Sequence, residues 1–498
     1  MRMLRHTVVG ASLLGAAIAA ALVAALCACV GPNFHKPAPP ATDRYTVDPM
    51  AAATASSPEA GGAAQNFLVG SDVPSNWWTL FGSEEIDALV QEALRSNPDV
   101  ASAQAALRQA LENTAAQRGS YFPTVQGEMD ASRNRDATGV LQPTLNSGNP
   151  VYSLFTPQVT VSYVPDVFGA NRRAVESLSA QAEASRDQLD ATYLTLTANV
   201  VTAAIQEAGL RSQIAATEKV LSLERESLDV MRRQLELGAI AEADVYAQDA
   251  ACAALEETLP PLNKQLHQTR DQLAVLTGHL PADFRGVHFE LDQLVLPTDL
   301  PLGVPSQLVE RRPDVRAAEA QLHSATAQVG VAIANMLPQF TITGDLGSTA
   351  TFLHDLFKPG TGFWSLGVNG TQTLFEGGTL IHRKRAADAA MDQAAAQYRS
   401  TVLTAFQNVA DALHALDTDA AALKAASRAE DAAQKSLGVA HHQLELGSVS
   451  YLALVTSEQS YQQAVVSVAQ AQANRYSDTA ALFQALGGAI TAPATTVH

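Results

Sequence analysis

The chain is written twice. Offset by 215 residues, Asn97-Pro98-Asp99-Val100 falls on Arg312-Pro313-Asp314-Val315 and Tyr121-Phe122-Pro123 falls on Met336-Leu337-Pro338. At an offset of 209 the match resumes, with Gly169 on Gly378, the run Gln234 to Gly238 on Gln443 to Gly447, and Gly278 on Gly487. The offset therefore changes in one place, between Pro338 and Gly378. A period near 210 residues is far longer than that of a solenoid. It predicts two copies of one large unit.

Each copy changes periodicity along its length. Ile86, Leu89, Val90, Ala93 and Leu94 are spaced by three and four after a Ser83 cap, which predicts a helix. Pro98 opens a second helix running to about Gly119. After Pro123 the period is two: Val125, Gly127, Met129 and Ala131 alternate with Thr124, Gln126, Glu128 and Asp130, and Val159, Val161 and Tyr163 alternate with Gln158, Thr160 and Ser162. The second copy repeats this with Phe340, Ile342 and Leu346, then with Trp364, Leu366 and Val368. Four such strands of about ten residues have the length and alternation of transmembrane barrel strands. Half-buried hairpins of a soluble domain would alternate in the same way.

Between Asn171 and Leu237 there is no proline, and Leu210, Ile214, Leu221, Leu228, Met231 and Leu235 recur at heptad-like spacings. A helix of that length extends roughly 100 Å. Gly238 ends it, and a return helix is expected from Glu242 to about Thr277. That return path is too short alone, so the helix from Pro98 is expected to stack end to end with it. The second copy should do the same, with helices from about Leu380 to Leu446 and from Tyr451 to Leu486.

The N-terminus supplies a compartment. Arg2 and Arg5 precede an apolar run from Val8 to Leu26, the order of a secretory signal peptide or of an uncleaved anchor. Leu26-Cys27-Ala28-Cys29 resembles a bacterial lipobox with Cys29 as the acylated residue, and Val30 after it favours sorting to the outer membrane. Past Cys29 no run of about 18 apolar residues follows, so any crossing must be made by strands. Four strands are too few to close a barrel, which implies oligomerisation. The formal charge of -18, carried by a chain with 50 acidic and 32 basic side chains, argues against a nucleic-acid partner.

Trp77-Trp78 with Phe81, Leu89-Val90, Ala93-Leu94 and Asn97-Pro98-Asp99, together with the run from Leu300 through Glu310-Arg311-Arg312-Pro313-Asp314-Val315 to Phe340, resembles the TolC and OprM type of outer-membrane factor, in its lipoprotein branch. The resemblance spans about residues 29 to 490. It implies a mainly α fold with a β-barrel portion: a homotrimer forming a 12-stranded outer-membrane barrel continuous with a periplasmic α-helical barrel. It implies as partners a periplasmic adaptor, an inner-membrane proton-driven transporter of the resistance-nodulation-division type, and outer-membrane lipid. The expected division is a signal peptide (1–28), a lipidated leader (29–76), a first repeat (77–297, hairpin about 123–166), a second repeat (298–490, hairpin about 338–375) and a tail (491–498).

No HExxH, GxSxG, CxxC or phosphate-loop motif occurs, so no catalytic residue, metal or cofactor is expected. His441 and His442 are adjacent on a helix and point in different directions, and Cys252 reads as a packed small hydrophobe. Gly238, Ala239 and Ile240, with Gly447, Ser448 and Val449, are the candidate adaptor-contacting tip; the two glycines would end helices in any case. The resemblance also implies a constriction just past the second turn, assigned here to Leu452 with Tyr451 and Thr456 nearby. Ala453 and Thr456 stand where family members often carry aspartates. Arg172, Arg173, Arg383, Lys384 and Arg385 open the long helices and are candidates for lipid-phosphate contact. The expected function is a passive efflux duct. A duct for secreted polypeptides and a structural envelope lipoprotein are the alternatives.

Overall fold

The computed structural model describes residues 30–135 and 150–488. The expected signal peptide, Cys29, most of the expected first hairpin loop and the expected tail lie outside the described residues. The chain forms two compact units. One comprises Leu107–Ala184 and Ala318–Tyr398 with the leader up to Lys36; the other comprises Pro37–Ala106, Ser185–Ala317 and the chain from Arg399 onward.

The first unit is built on an antiparallel sheet of β2 (Thr124–Arg135), β3 (Val151–Tyr163), β5 (Gln339–Ser348) and β6 (Gly362–Thr371), in that order. Its register explains the alternation. Val125 lies opposite Val161, Val159 opposite Leu346, and Leu346 opposite Trp364. Thr160 lies opposite Asp345, which lies opposite Ser365. Because side chains alternate across a strand, every apolar residue of the pattern falls on one face and the polar residues on the other. Val125, Met129, Leu346, Trp364, Leu366 and Val368 are all exposed. On the polar face Asp345 accepts hydrogen bonds from Thr160 at 2.8 Å and Ser365 at 2.7 Å. Among the described residues, β2 and β6 each keep one unpaired edge. No described helix is long and apolar enough to cross a membrane.

The sheet unit also contains the start of the long helix α3 (Ala170–Glu236), the end of α2 (Pro98–Arg118), most of α6 (Pro313–Ala334) and the start of α7 (Thr379–Glu445). The remainder of α3 and α7, with the return helices α4 (Glu242–Leu276) and α8 (Tyr451–Ala485), belongs to the second unit. Duplication is metric here: α3 and α7 each have 67 residues, and α4 and α8 each have 35. The heptad-like leucines are the seam, since Leu221, Leu228 and Met231 pack with Val245, Cys252 and Leu255 of α4 in one buried cluster.

End-to-end stacking of the return helices is visible at the joints. Asn97, just before α2, donates to the terminal carbonyl of Leu276 at 2.9 Å, and Arg312, just before α6, donates to Ala485 at 2.7 Å. The two copies thus solve the same helix junction with different side chains. A β-carbon placed on Gly278 would stand 2.5 Å from the carbonyl oxygen of Ser96. That junction tolerates only hydrogen.

One element lacks a sequence signal. β1 (Asn66–Val69) and β4 (Asp299–Leu302) form a two-stranded parallel sheet, so the leader contributes structure as well as lying on a surface. Thr54 and Gln65 of the leader are buried around Arg475. The short helices α1 (Glu84–Ser96) and α5 (Pro305–Arg311) follow, with Trp77, Phe81, Tyr476 and Phe483 packed as an aromatic cluster.

Candidate functional site

The two turns are built identically. At the end of α3, the amide of Gly238 donates to Leu235 and that of Ala239 to Gln234, both at 2.9 Å; at the end of α7, Gly447 donates to Leu444 and Ser448 to Gln443, also at 2.9 Å. These paired bonds satisfy the carbonyls left over when a helix stops, and they require a left-handed residue. Gly238 has φ 72° and Gly447 has φ 67°. Nothing lies within 4 Å of a β-carbon at either position, so substitution costs conformation but no collision. Gly238→Ala or Gly447→Ala should lower stability by about 1 kcal/mol. Gly278→Ala, which also meets Ser96, should lower it by more, as read from denaturation midpoints of the three purified variants.

Ile240 and Val449 turn partly inward, while Gly238, Ala239, Gly447 and Ser448 are exposed. Two residues that the sequence did not single out stand beside them. Leu237 is 83% exposed and Leu446, its counterpart in the second copy, is 70% exposed. Both are large apolar side chains at equivalent positions of the two turns. Between the turns lies a cleft of about 960 Å³, lined by Ile240, Val449, Tyr451 and the last turns of α3 and α7.

The constriction candidates point in different directions. Leu452 is 67% exposed and Thr456 is exposed, its hydroxyl donating back to the Leu452 carbonyl at 2.8 Å. Tyr451 is half-buried and donates to Gln234 at 2.8 Å, which ties the start of α8 to the end of α3. Burial raises its pKa, with Asp244 and Glu458 adding to the effect. Cys252 is buried beneath the turns, and burial, with Glu224 and other nearby acids, pushes its thiol up to about 11. His441 lies 3.9 Å from Glu458 and His442 lies 3.5 Å from Glu445, so the adjacent pair diverges.

The basic residues that open the long helices divide as well. Arg173 is only 4% exposed, and its guanidinium donates to Glu176 at 2.8 Å, to Asn33 at 2.6 Å and to the carbonyl of Val30 at 3.3 Å. It is therefore withdrawn from the lipid-phosphate set, because its donors hold the leader. Arg172 is half-exposed beside Asp166 at 3.6 Å, and Lys384 pairs with Asp388 at 2.7 Å. Arg383 and Arg385 are exposed.

A family model described as outer membrane efflux protein matches residues 89–279 and 304–488. The pyoverdine export outer membrane protein OpmQ of Pseudomonas aeruginosa is 28% identical over 415 residues, covering 83% of this chain and 87% of its own. The outer membrane protein OprJ of the same organism is 27% identical over 480 residues, 95% of each chain. Among solved structures, the outer-membrane channel OprN superposes with a TM-score of 0.83 at 28% identity, over 93% of this chain and 100% of that one.

Proposed function

The chain belongs to the outer membrane efflux protein family, and from that membership we propose how its parts work. It is the outer-membrane channel of a tripartite efflux system, receiving small molecules from an inner-membrane transporter through a periplasmic adaptor and conducting them outward without chemistry of its own. One observation carries the membrane part. Among the described residues, a four-stranded sheet carries exposed apolar side chains from all four strands on one face, a largely polar opposite face and two unpaired edges. Unpaired edges cannot stand in lipid. Three copies joined edge to edge give twelve strands and leave none.

The polar face, with Glu128, Asp130 and Asp345, lines the duct. The turns at Gly238–Ile240 and Gly447–Val449, with Leu237 and Leu446, form the end that meets the adaptor. Leu452 and Thr456 constrict the resting channel, and Tyr451 holds the helix that carries them.

Cys29 carries the lipid anchor. In support, the residue after it is fixed where strands give way to helix: the Val30 amide donates to the carbonyl of Phe168, between β3 and α3, at 3.4 Å. Gly31 packs against Gly330, Phe34 stacks on His323 at 4.4 Å, and Lys36 pairs with Glu319 at 3.3 Å. Arg172, Arg383, Lys384 and Arg385 lie near this boundary in sequence and contact phosphates of the inner leaflet.

Drug susceptibility of a deletion strain, measured beside planar-bilayer conductance of the purified trimer, tests the reading. Conductance without a change in susceptibility would favour a duct for polypeptides, and absence of conductance would favour a structural lipoprotein. Leu452→Ser should raise resting single-channel conductance; an unchanged value would remove Leu452 from the constriction.

A further inference from the structure

Just inside the turns, two carboxylates are buried against each other. Glu224 on α3 and Glu458 on α8 are each 6% exposed. Both line the cleft between the turns. Gln248 of α4, fully buried, donates its amide to Glu224. Among the described residues, no hydrogen bond reaches the Oε2 atom of Glu458, although that oxygen is buried. A buried, unpaired carboxylate oxygen is costly. A proton between the two acids removes the cost, because one carboxyl then donates to the other.

We propose that Glu224 and Glu458 share one proton and act as a clasp that holds α3 against α8 beneath the turns and releases when the proton is lost.

The surroundings offer little to replace that proton. The cleft is lined by the further carboxylates Glu226 and Asp244, and by Glu445 of α7, with no lysine or arginine. From α7 the facing group is His441, 3.9 Å from Glu458 and itself half-exposed. From α4 the facing groups are Gln248, the Cys252 thiol, and the acids Asp249 and Glu256. Those two acids are met by Arg232 at 3.2 Å and Arg225 at 2.6 Å on the exposed side. Tyr451 and Tyr461 complete the lining from α8. Burial first, and then Glu224, raise the pKa of Glu458 to about 8, with Gln248 opposing.

The sign follows from that direction. The unfolded chain gives up this proton in the ordinary carboxylate range, whereas the folded chain keeps it to about 8. Between those values the folded state binds more protons, so its stability falls as pH rises. The clasp is closed in acid and strained in alkali. A bacterial periplasm follows the pH of its surroundings, so the clasp would couple the resting state of the channel to the medium.

The inference rests on the turns being the gated end, and two readouts separate its failure from that of the premise. Cys252 sits in the same buried cluster as the clasp helices, so its alkylation by a maleimide reports local opening. In the wild-type trimer the labelling rate should rise between pH 6 and pH 9 by well over the about tenfold per pH unit that thiolate formation alone gives. In Glu458→Gln and Glu224→Gln, where an amide supplies a permanent donor, the excess should vanish. Planar-bilayer conductance should rise several-fold over the same range in wild type and stay flat and low in both variants. Asp478→Asn, which alters the separate acid pair that Asp478 makes with Asp419, should keep the wild-type responses.

Labelling that follows the clasp without a conductance change supports the clasp and moves the gate elsewhere. Equal labelling excess in wild type and both glutamine variants overturns the clasp.

Discussion

Replacing Arg475 with alanine should detach the leader from the helical wall and cost about 1–3 kcal/mol, the range for leaving buried neutral acceptors without their donor. Arg475 is fully buried in α8, and its guanidinium donates to the carbonyls of Gly61 at 2.9 Å and Ala63 at 3.1 Å, to Gln65 at 3.0 Å and to Thr54 at 3.2 Å. Burial lowers its pKa, with Tyr476 and Asp419 opposing, so removing the cation recovers some desolvation. That gain is outweighed. Gln65 is itself 0% exposed, and it loses a partner that water cannot replace without opening the site.

The leader then becomes a protease substrate. Limited proteolysis should cut between residues 52 and 65 in Arg475→Ala while leaving wild type intact, and the trimer should dissociate at a lower temperature. Arg475→Lys should recover only part of the loss, because an ammonium cannot span four acceptors as a planar fork does. A variant with unchanged cleavage and melting would show that β1 and β4 hold the leader alone.

This anchor illustrates what the sequence conceals. The periodic elements were readable because their signals are repeated: alternation in four strands, heptad spacing in α3, and glycine at equal distances in both copies. The parallel pair of β1 and β4 was not. Each strand has four residues, β4 contains Pro301, and the two lie more than two hundred residues apart in the chain, so neither period nor proximity announces them. Arg173 misled for a related reason. A basic residue after a strand looks the same whether it faces lipid or, as here, the carbonyl of Val30.

The turns show the same division. Gly238 and Gly447 are legible because only a left-handed residue completes the helix end, whereas the exposure of Leu237 and Leu446 depends on how the helices rotate about their seam. Nothing in the sequence sets Glu224 and Glu458 apart, and their burial appears only once α3, α4 and α8 are packed together.

Leu366→Arg should prevent assembly in the outer membrane while leaving the helices intact. Leu366 is the middle of β6, opposite Gly344, and is 73% exposed between Trp364 and Val368 on the apolar face. At the midplane of a barrel an arginine on the lipid face costs about 2–4 kcal/mol. Three copies per trimer multiply the penalty, and no acid of the polar face can reach across the sheet to offset it. Ser365→Arg, one residue away, points to the opposite face beside Asp345 and should assemble normally while lowering cation conductance. The contrast isolates lipid exposure from strand propensity, since both substitutions place the same residue in the same strand. Heat-resistant trimer in membrane fractions is the measurement. Equal loss for both would mean that β6 is sensitive to any bulky charge, and normal assembly of Leu366→Arg would mean that the apolar face of the sheet does not meet lipid.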